Sequence, residues 1–165
     1  MMDQHTFTDL FREDCIIDNL DVSSREEALA VMAEHLVSLG FCHHTFPQAI
    51  LDRERVYPSG LPFRGYTIAI PHTDAVHVRQ SVILVARLPV PVLFQSMGAP
   101  EDVLPVQLIS MFALKEREAI GDLLETLITV YQREHALTAL IQASDRFEMF
   151  RILKTMVLEC GSCPS

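Results

Sequence analysis

The sequence predicts an α/β fold, a three-layer sandwich in which a mixed β-sheet is flanked by helices on both faces. Helical periodicity occupies the first third of the chain, β-forming runs the middle, and helical periodicity returns in the last third. One middle run, residues 106–114, is apolar on both faces, as expected of a central strand covered from two sides. With 165 residues the chain suits one domain with a real core. The single domain is expected over 1–165, with its core at about 11–157 and a frayed tail at 159–165.

The elements follow in order. Cys15-Ile16-Ile17, within residues 14–19, is a short apolar run that suits a strand. Ser23-x-x-Glu26 reads as a capping box. Behind it Leu29, Met32, Leu36 and Leu39 recur at helical spacing, and Gly40 is a C-terminal stop. Thr45-x-x-Gln48, with Pro47 in the first turn, opens a second helix that ends before Pro58-Ser59-Gly60. Strands are expected at 66–70 and 81–88, with a separate short one at 90–94 bounded by Pro89 and Pro91. Residues 95–102 read as a loop with Gly98 and Pro100. Ile120, Leu123, Leu124 and Leu127 form a helical stripe toward Tyr131, and a short helix covers 134–141. Asp145-x-x-Glu148 caps a last helix bearing Phe147, Phe150, Leu153 and Val157.

Apolar residues make up 49% of the chain and charged residues 21%, a balance that excludes disorder. The formal net charge of −9 comes with no Lys/Arg cluster, which argues against a nucleic-acid partner. Met1-Met2-Asp3-Gln4-His5 lacks a following apolar run, and no stretch reaches the roughly 20 apolar residues needed to cross a bilayer. A cytoplasmic protein without direct membrane insertion is therefore expected. Cys15, Cys42, Cys160 and Cys163 are scattered, which suits a reducing compartment. Cys160-Gly-Ser-Cys163 has redox or metal spacing, but it lies almost at the end and has no second pair to complete a zinc site.

The richest segment is Gly65-Tyr-Thr-Ile-Ala-Ile-Pro71-His72-Thr-Asp-Ala-Val-His77. Residues 67–70 form β-structure, and Pro71 cannot extend a central ladder, so the strand stops there. His72 is the first large polar side chain beyond it. Functional groups in α/β sheets gather just past the carboxyl ends of strands. Imidazole, with an ordinary pKa of about 6.5, is a nucleophile available near neutral pH. On the residues alone, such a histidine is equally at home as a structural hydrogen-bonding group in a loop.

Gly-x-x-Ile68-Ala-Ile70-Pro71-His72 resembles the phosphorylation-site signature of the fructose–mannitol class (type 2) of IIA components of the sugar phosphotransferase system. Phe46-Pro47-Gln48-Ala49, Asp52-Arg53-Glu54 and Pro58-Ser59-Gly60 are similar to the family's helix and following turn, and the likeness extends over about residues 11–157. Within the class, Ile-Ala-Ile-Pro71-His72-x-x-Ala75-Val76-His77 is most similar to galactitol-type proteins, which also carry a second histidine five residues on.

The resemblance implies a phosphocarrier that accepts a phosphoryl group on His72 from the general phosphocarrier HPr. It would then pass the group to a cysteine of a IIB component and, through it, serve a membrane IIC component. Arg53 is implied beside the active histidine, where a guanidinium fork fits phosphate oxygens. Its run Arg53-Glu54-Arg55 also suits a solvated helix face, and Arg55 takes the role if the helix is rotated. His77 is implied as a hydrogen-bond donor to the phosphoryl group or as a group that orients His72. Other branches place their second histidine after the strand at 106–114, where this chain has Glu118-Ala119. Thr73 and Asp74 suit loop roles, with Thr73 a further hydroxyl for phosphate. His43-His44 is expected in solvent, and His5, His35 and His135 at the surface or on helix faces.

No cofactor or metal is implied, and no Gly-x-x-x-x-Gly-Lys loop suggests a nucleotide. Two other readings stand beside this one. One is a regulatory IIA-like protein whose phosphorylation controls partner binding. The other is a metal-dependent hydrolase built on His72, His77 and Asp74, for which no third protein ligand is evident.

Overall fold

The strand-forming middle of the chain builds one five-stranded sheet in the computed structural model, which describes residues 7–160. The strands are β1 (Phe11–Ile17), β2 (Gly60–Phe63), β3 (Tyr66–Ala69), β4 (Val82–Gln95) and β5 (Val103–Ala113), in the order β1-β4-β5-β3-β2. β1 runs parallel to β4 and β3 parallel to β5, whereas β4/β5 and β2/β3 are antiparallel. The sheet is thus mixed, with β5 at its centre as its two-faced apolarity predicts. The helices are α1 (Arg25–Ser38), α2 (Phe46–Val56), α3 (Ile120–Tyr131), α4 (Ala136–Gln142) and α5 (Arg146–Cys160).

Alternation along the strands sorts the core into two layers. Ile68, Ile70, Ile83, Val85, Leu108 and Phe112 pack under α3, α4 and α5. Ala69, Val82, Leu84, Ile109 and Met111 face the other way, against Leu29, Met32, Leu36, Phe46 and Ile50 of α1 and α2. One polar pair interrupts the first layer. Ser110 Oγ lies 2.6 Å from the Tyr131 hydroxyl, and burial pushes that phenol up to about 12.

Several boundaries differ from expectation for identifiable reasons. The first capping box is shifted by one residue. Ser24 Oγ accepts the Glu27 N–H at 3.1 Å, and the Glu27 carboxylate accepts from Ser23 N at 2.8 Å and Ser23 Oγ at 2.9 Å. The cap of α5 falls as predicted, with Asp145 Oδ1 accepting the Glu148 N–H at 2.9 Å. Residues 81–88 and 90–94 belong to one strand, β4, because an irregularity between Arg87 and Val92 absorbs Pro89 and Pro91 outside the regular ladder. Gly60–Phe63 is a strand rather than part of the break after α2. It is one of the sheet's two outer strands, where Pro62 removes no central hydrogen bond. Gly60 is required there, since a Cβ would stand 2.6 Å from the Gln95 carbonyl oxygen. Gly65 closes the β2–β3 hairpin at φ +85°, a backbone region that disfavours a side chain.

α5 runs on to Cys160, so residues 159 and 160 are helical rather than frayed, and Cys163 lies outside the described residues. Cys15 and Cys42 are free and buried, and burial pushes both thiols up to about 12. Among the described residues no helix is long and apolar enough to cross a membrane.

Candidate functional site around His72 and Arg53

The β3 exit is fixed by main-chain bonds. Ile70 N–H donates to the Ser59 carbonyl at 3.1 Å, and the Pro71 carbonyl accepts the Phe112 N–H at 3.2 Å. His72 therefore leaves the carboxyl end of β3 at a defined place beside β5. Its ring stacks on Phe112, with centroids 4.5 Å apart and planes 13° apart. Its Nδ1 lies 3.1 Å from the Ile70 carbonyl oxygen. A carbonyl only accepts, so Nδ1 carries the ring proton and Nε2 keeps the lone pair. The ring is half-buried rather than enclosed in the core. Burial holds its pKa below the ordinary histidine value; the Ile70 hydrogen bond and the Asp74 charge oppose this, and the Arg53 charge adds to it.

α2 carries the next two residues. Arg53, in its last turn, is half-buried, with its guanidinium over the Tyr57 ring at 4.1 Å. Its Nε is buried and has no hydrogen-bond partner among the described residues. Arg55, the alternative, is exposed and pairs with Asp52 at 3.2 Å. Glu54 is buried and accepts the Ser59 N–H at 3.0 Å, while burial pushes its pKa upward. Glu54 thus ties the arginine helix to Ser59, Ser59 to Ile70, and Ile70 to the His72 ring.

A cleft of about 560 Å³ opens here, and Thr45, Arg53, Tyr57, Thr73, Asp74 and His77 line it. His72 is not among its lining residues but directly precedes Thr73. His77 sits on a 3₁₀ turn, Ala75–His77, with its N–H on the Asp74 carbonyl at 3.2 Å. Its Nδ1 lies 2.8 Å from Thr45 Oγ1. Thr73 is buried and Asp74 exposed. A larger cleft of about 710 Å³ lies between the β2–β3 turn and the α3–α4 connection, and it contains none of these residues.

The structure therefore brings Arg53 and His77 into one cleft and sets His72 at its margin. His43 departs from expectation. It is half-buried and its Nδ1 accepts from Arg79 Nε at 3.1 Å, whereas His44 is exposed. His35 Nε2 contacts the Asp14 carbonyl at 2.8 Å, His135 is exposed, and His5 lies outside the described residues. Among the described residues no group of three His, Cys, Asp or Glu side chains is arranged to hold a metal ion. Thr45, Glu54, Tyr57 and Phe112 were not predicted as site residues. Glu54 had a visible signal, an acid inside an apolar helix face next to Arg53. Phe112 read only as one more core residue of a strand.

The same set of elements occurs in known proteins. The crystal structure of mannitol IIA from Escherichia coli superposes with a TM-score of 0.69 at 24% identity, covering 86% of this chain and 97% of that one. The Escherichia coli complex of mannitol IIA with phosphorylated mannitol IIB gives a TM-score of 0.71 at 23% identity, covering 86% and 95%. The galactitol-specific EIIA component of Escherichia coli K12 is 30% identical over 118 residues, which span 64% of this chain and 79% of that protein. Residues 9–156 match the family model described as phosphoenolpyruvate-dependent sugar phosphotransferase system, EIIA 2, and the chain belongs to that family.

Proposed function

We propose that this chain is a cytoplasmic phosphocarrier of a sugar phosphotransferase system, taking a phosphoryl group on His72 Nε2 from phosphorylated HPr and giving it to a cysteine of a IIB component. The observation that carries the proposal is the His72 ring itself. Its Nδ1 is committed to the Ile70 carbonyl, which leaves Nε2 as the lone pair at the strand exit. The depressed pKa keeps that lone pair free of a proton near neutral pH.

In the first step Nε2 attacks phosphorus, an N–P bond forms, and the N–P bond of the donor histidine breaks with its electron pair returning to the donor ring. His72 keeps its Nδ1 proton on Ile70, so the modified ring is a cation beside the phosphoryl anion. In the second step a cysteine thiolate of the acceptor attacks. The S–P bond forms, the N–P bond breaks, and the pair returns to Nε2. Positioning and charge stabilisation are the protein's main tools in such transfers. Arg53 supplies both, with a preorganised guanidinium whose Nε has no partner among the described residues. His77 supplies a second donor from the same cleft.

Val56, Tyr57 and Val76 are exposed apolar side chains next to these groups. They form a rim suited to transient partners, which must leave after each transfer. The likeness to galactitol-specific EIIA supports a galactitol-like pathway, with sugar binding left to a membrane IIC component.

The test is incubation with enzyme I, HPr and phosphoenolpyruvate, followed by mass spectrometry under conditions that preserve acid-labile groups. One phosphoryl group is expected on His72. His72→Ala should take none while keeping its circular dichroism spectrum, and full labelling of that variant would end the proposal.

A further inference from the structure

Thr45 stands at the start of α2, where a threonine normally caps the helix with its side-chain oxygen. It does not do so here. Its backbone is helical, at φ −80° and ψ −14°, and its side chain makes no capping bond. Two of the first positions of α2 make no demand on that cap. The Phe46 N–H already donates to the His43 carbonyl at 3.0 Å, and Pro47 has no N–H to satisfy. The hydroxyl instead meets His77 Nδ1 at 2.8 Å.

The backbone supports the same pairing. His43 N–H donates to the His77 carbonyl at 2.9 Å, and Cys42 bridges Val78. The segment before α2 therefore lies along the 3₁₀ turn and grips His77 twice, by its main chain and by its ring. The ring's other nitrogen, Nε2, has no hydrogen-bond partner among the described residues. The ring lines the cleft that also holds Arg53.

We infer that Thr45 is a positioning residue: its hydroxyl donates to His77 Nδ1 and thereby holds the neutral ring with its proton on Nε2, ready to donate to a phosphoryl oxygen. The inference rests on the phosphocarrier reading of His72. A phosphoryl group offers only acceptors, so an Nε2 lone pair facing it would repel, whereas an Nε2–H attracts. In a neutral ring a proton on Nε2 leaves Nδ1 as the acceptor, and a hydroxyl is a side chain able to donate to it. The two histidines of the site would be opposite tautomers, each set by what holds Nδ1. The carbonyl at His72 can only accept from Nδ1, whereas the hydroxyl at His77 is able to donate to Nδ1 and so allows the proton to sit on Nε2.

Two readouts test this in the full chain. In the unphosphorylated protein, long-range ¹H–¹⁵N NMR of the imidazoles, assigned with a His77→Gln variant, should show His77 with Nε2 protonated and Nδ1 bare. Thr45→Ser should keep that pattern, and Thr45→Val should lose it. Phosphoryl transfer from phosphorylated HPr should fall about tenfold in kcat for Thr45→Val with KM little changed, and should recover in Thr45→Ser. A wild-type ring with its proton on Nδ1, or a Thr45→Val variant with unchanged tautomer and rate, overturns the role of Thr45 alone. A wild-type chain that takes no phosphoryl label overturns the phosphocarrier reading and this inference with it.

Discussion

Arg87 and Arg53 are both half-buried arginines at the margins of the sheet, and their donors meet different fates. Arg87 leaves β4 and gives its Nε to the Asp18 carbonyl at 2.9 Å. One terminal nitrogen reaches the carbonyls of Leu140, Ile141 and Ala143 at 3.0, 3.1 and 2.6 Å. It closes the carboxyl end of α4, whose last carbonyls have no partners within the helix. Arg53 lies over Tyr57, and its Nε is buried without a partner among the described residues. Orphaned buried donors cost stability and are uncommon, so a charged one lining a cleft points to something that binds there. The difference separates an arginine whose donors are spent on the fold from one whose Nε is left open, as the proposed phosphoryl-binding role requires.

The largest effect should come from Arg53→Ala. Transfer from phosphorylated HPr should slow by about 100-fold, the scale for removing one preorganised donor from a charge-stabilising site. Partner affinity should change much less, because the fork acts on the transferring group. Arg53→Lys should recover only part of the rate, since an ammonium lacks the planar fork. Stopped-flow quench of labelled HPr provides the measurement. A rate unchanged in Arg53→Ala would remove this arginine from the site.

Arg87→Ala should do the reverse. It strands the carbonyls at the end of α4, and urea unfolding should show a loss of about 2 kcal/mol. Its transfer rate, measured while folded, should stay near that of the wild type. Equal losses of stability in the two variants would break the comparison.

That contrast also explains what could be read from the sequence. The Pro71-His72 exit was legible because proline ends a ladder by covalent chemistry, and the mixed sheet because apolar runs keep their period. Arg53 was placed by family likeness, yet only the structure separates it from Arg55. Arg87 was illegible, because its acceptors lie 69 residues back and 53 to 56 residues further along the chain, and come together only when α4 docks. Thr45 read as a helix cap, since sequence cannot show that its hydroxyl turns to a histidine 32 residues further along the chain. The β2 strand was hidden by Pro58-Ser59-Gly60 and Pro62, turn-like residues that an edge strand tolerates. The capping box slipped by one place because two serines and two glutamates stand in adjacent pairs.

The smallest effect concerns the charge that Arg53 leaves unneutralised. Burial is the main cause of the lowered His72 pKa, and the Arg53 charge adds to it. Above about pH 6.5 the ring is neutral in both folded and unfolded chains and makes no difference to stability. As the pH falls below that value, the unfolded chain takes up the proton first. Stability then declines until the pH passes the folded pKa, below which the whole loss is in place. Arg53→Ala should raise the His72 pKa toward the ordinary value, without reaching it, and so reduce that acid loss. Arg87→Ala should leave the titration where it was, because Arg87 is not among the charges that move it. Titration of the His72 ring by ¹H–¹⁵N NMR in both variants measures the difference. If the two variants titrate together, the Arg53 charge does not reach His72, and the arginine and histidine do not act on one phosphoryl group.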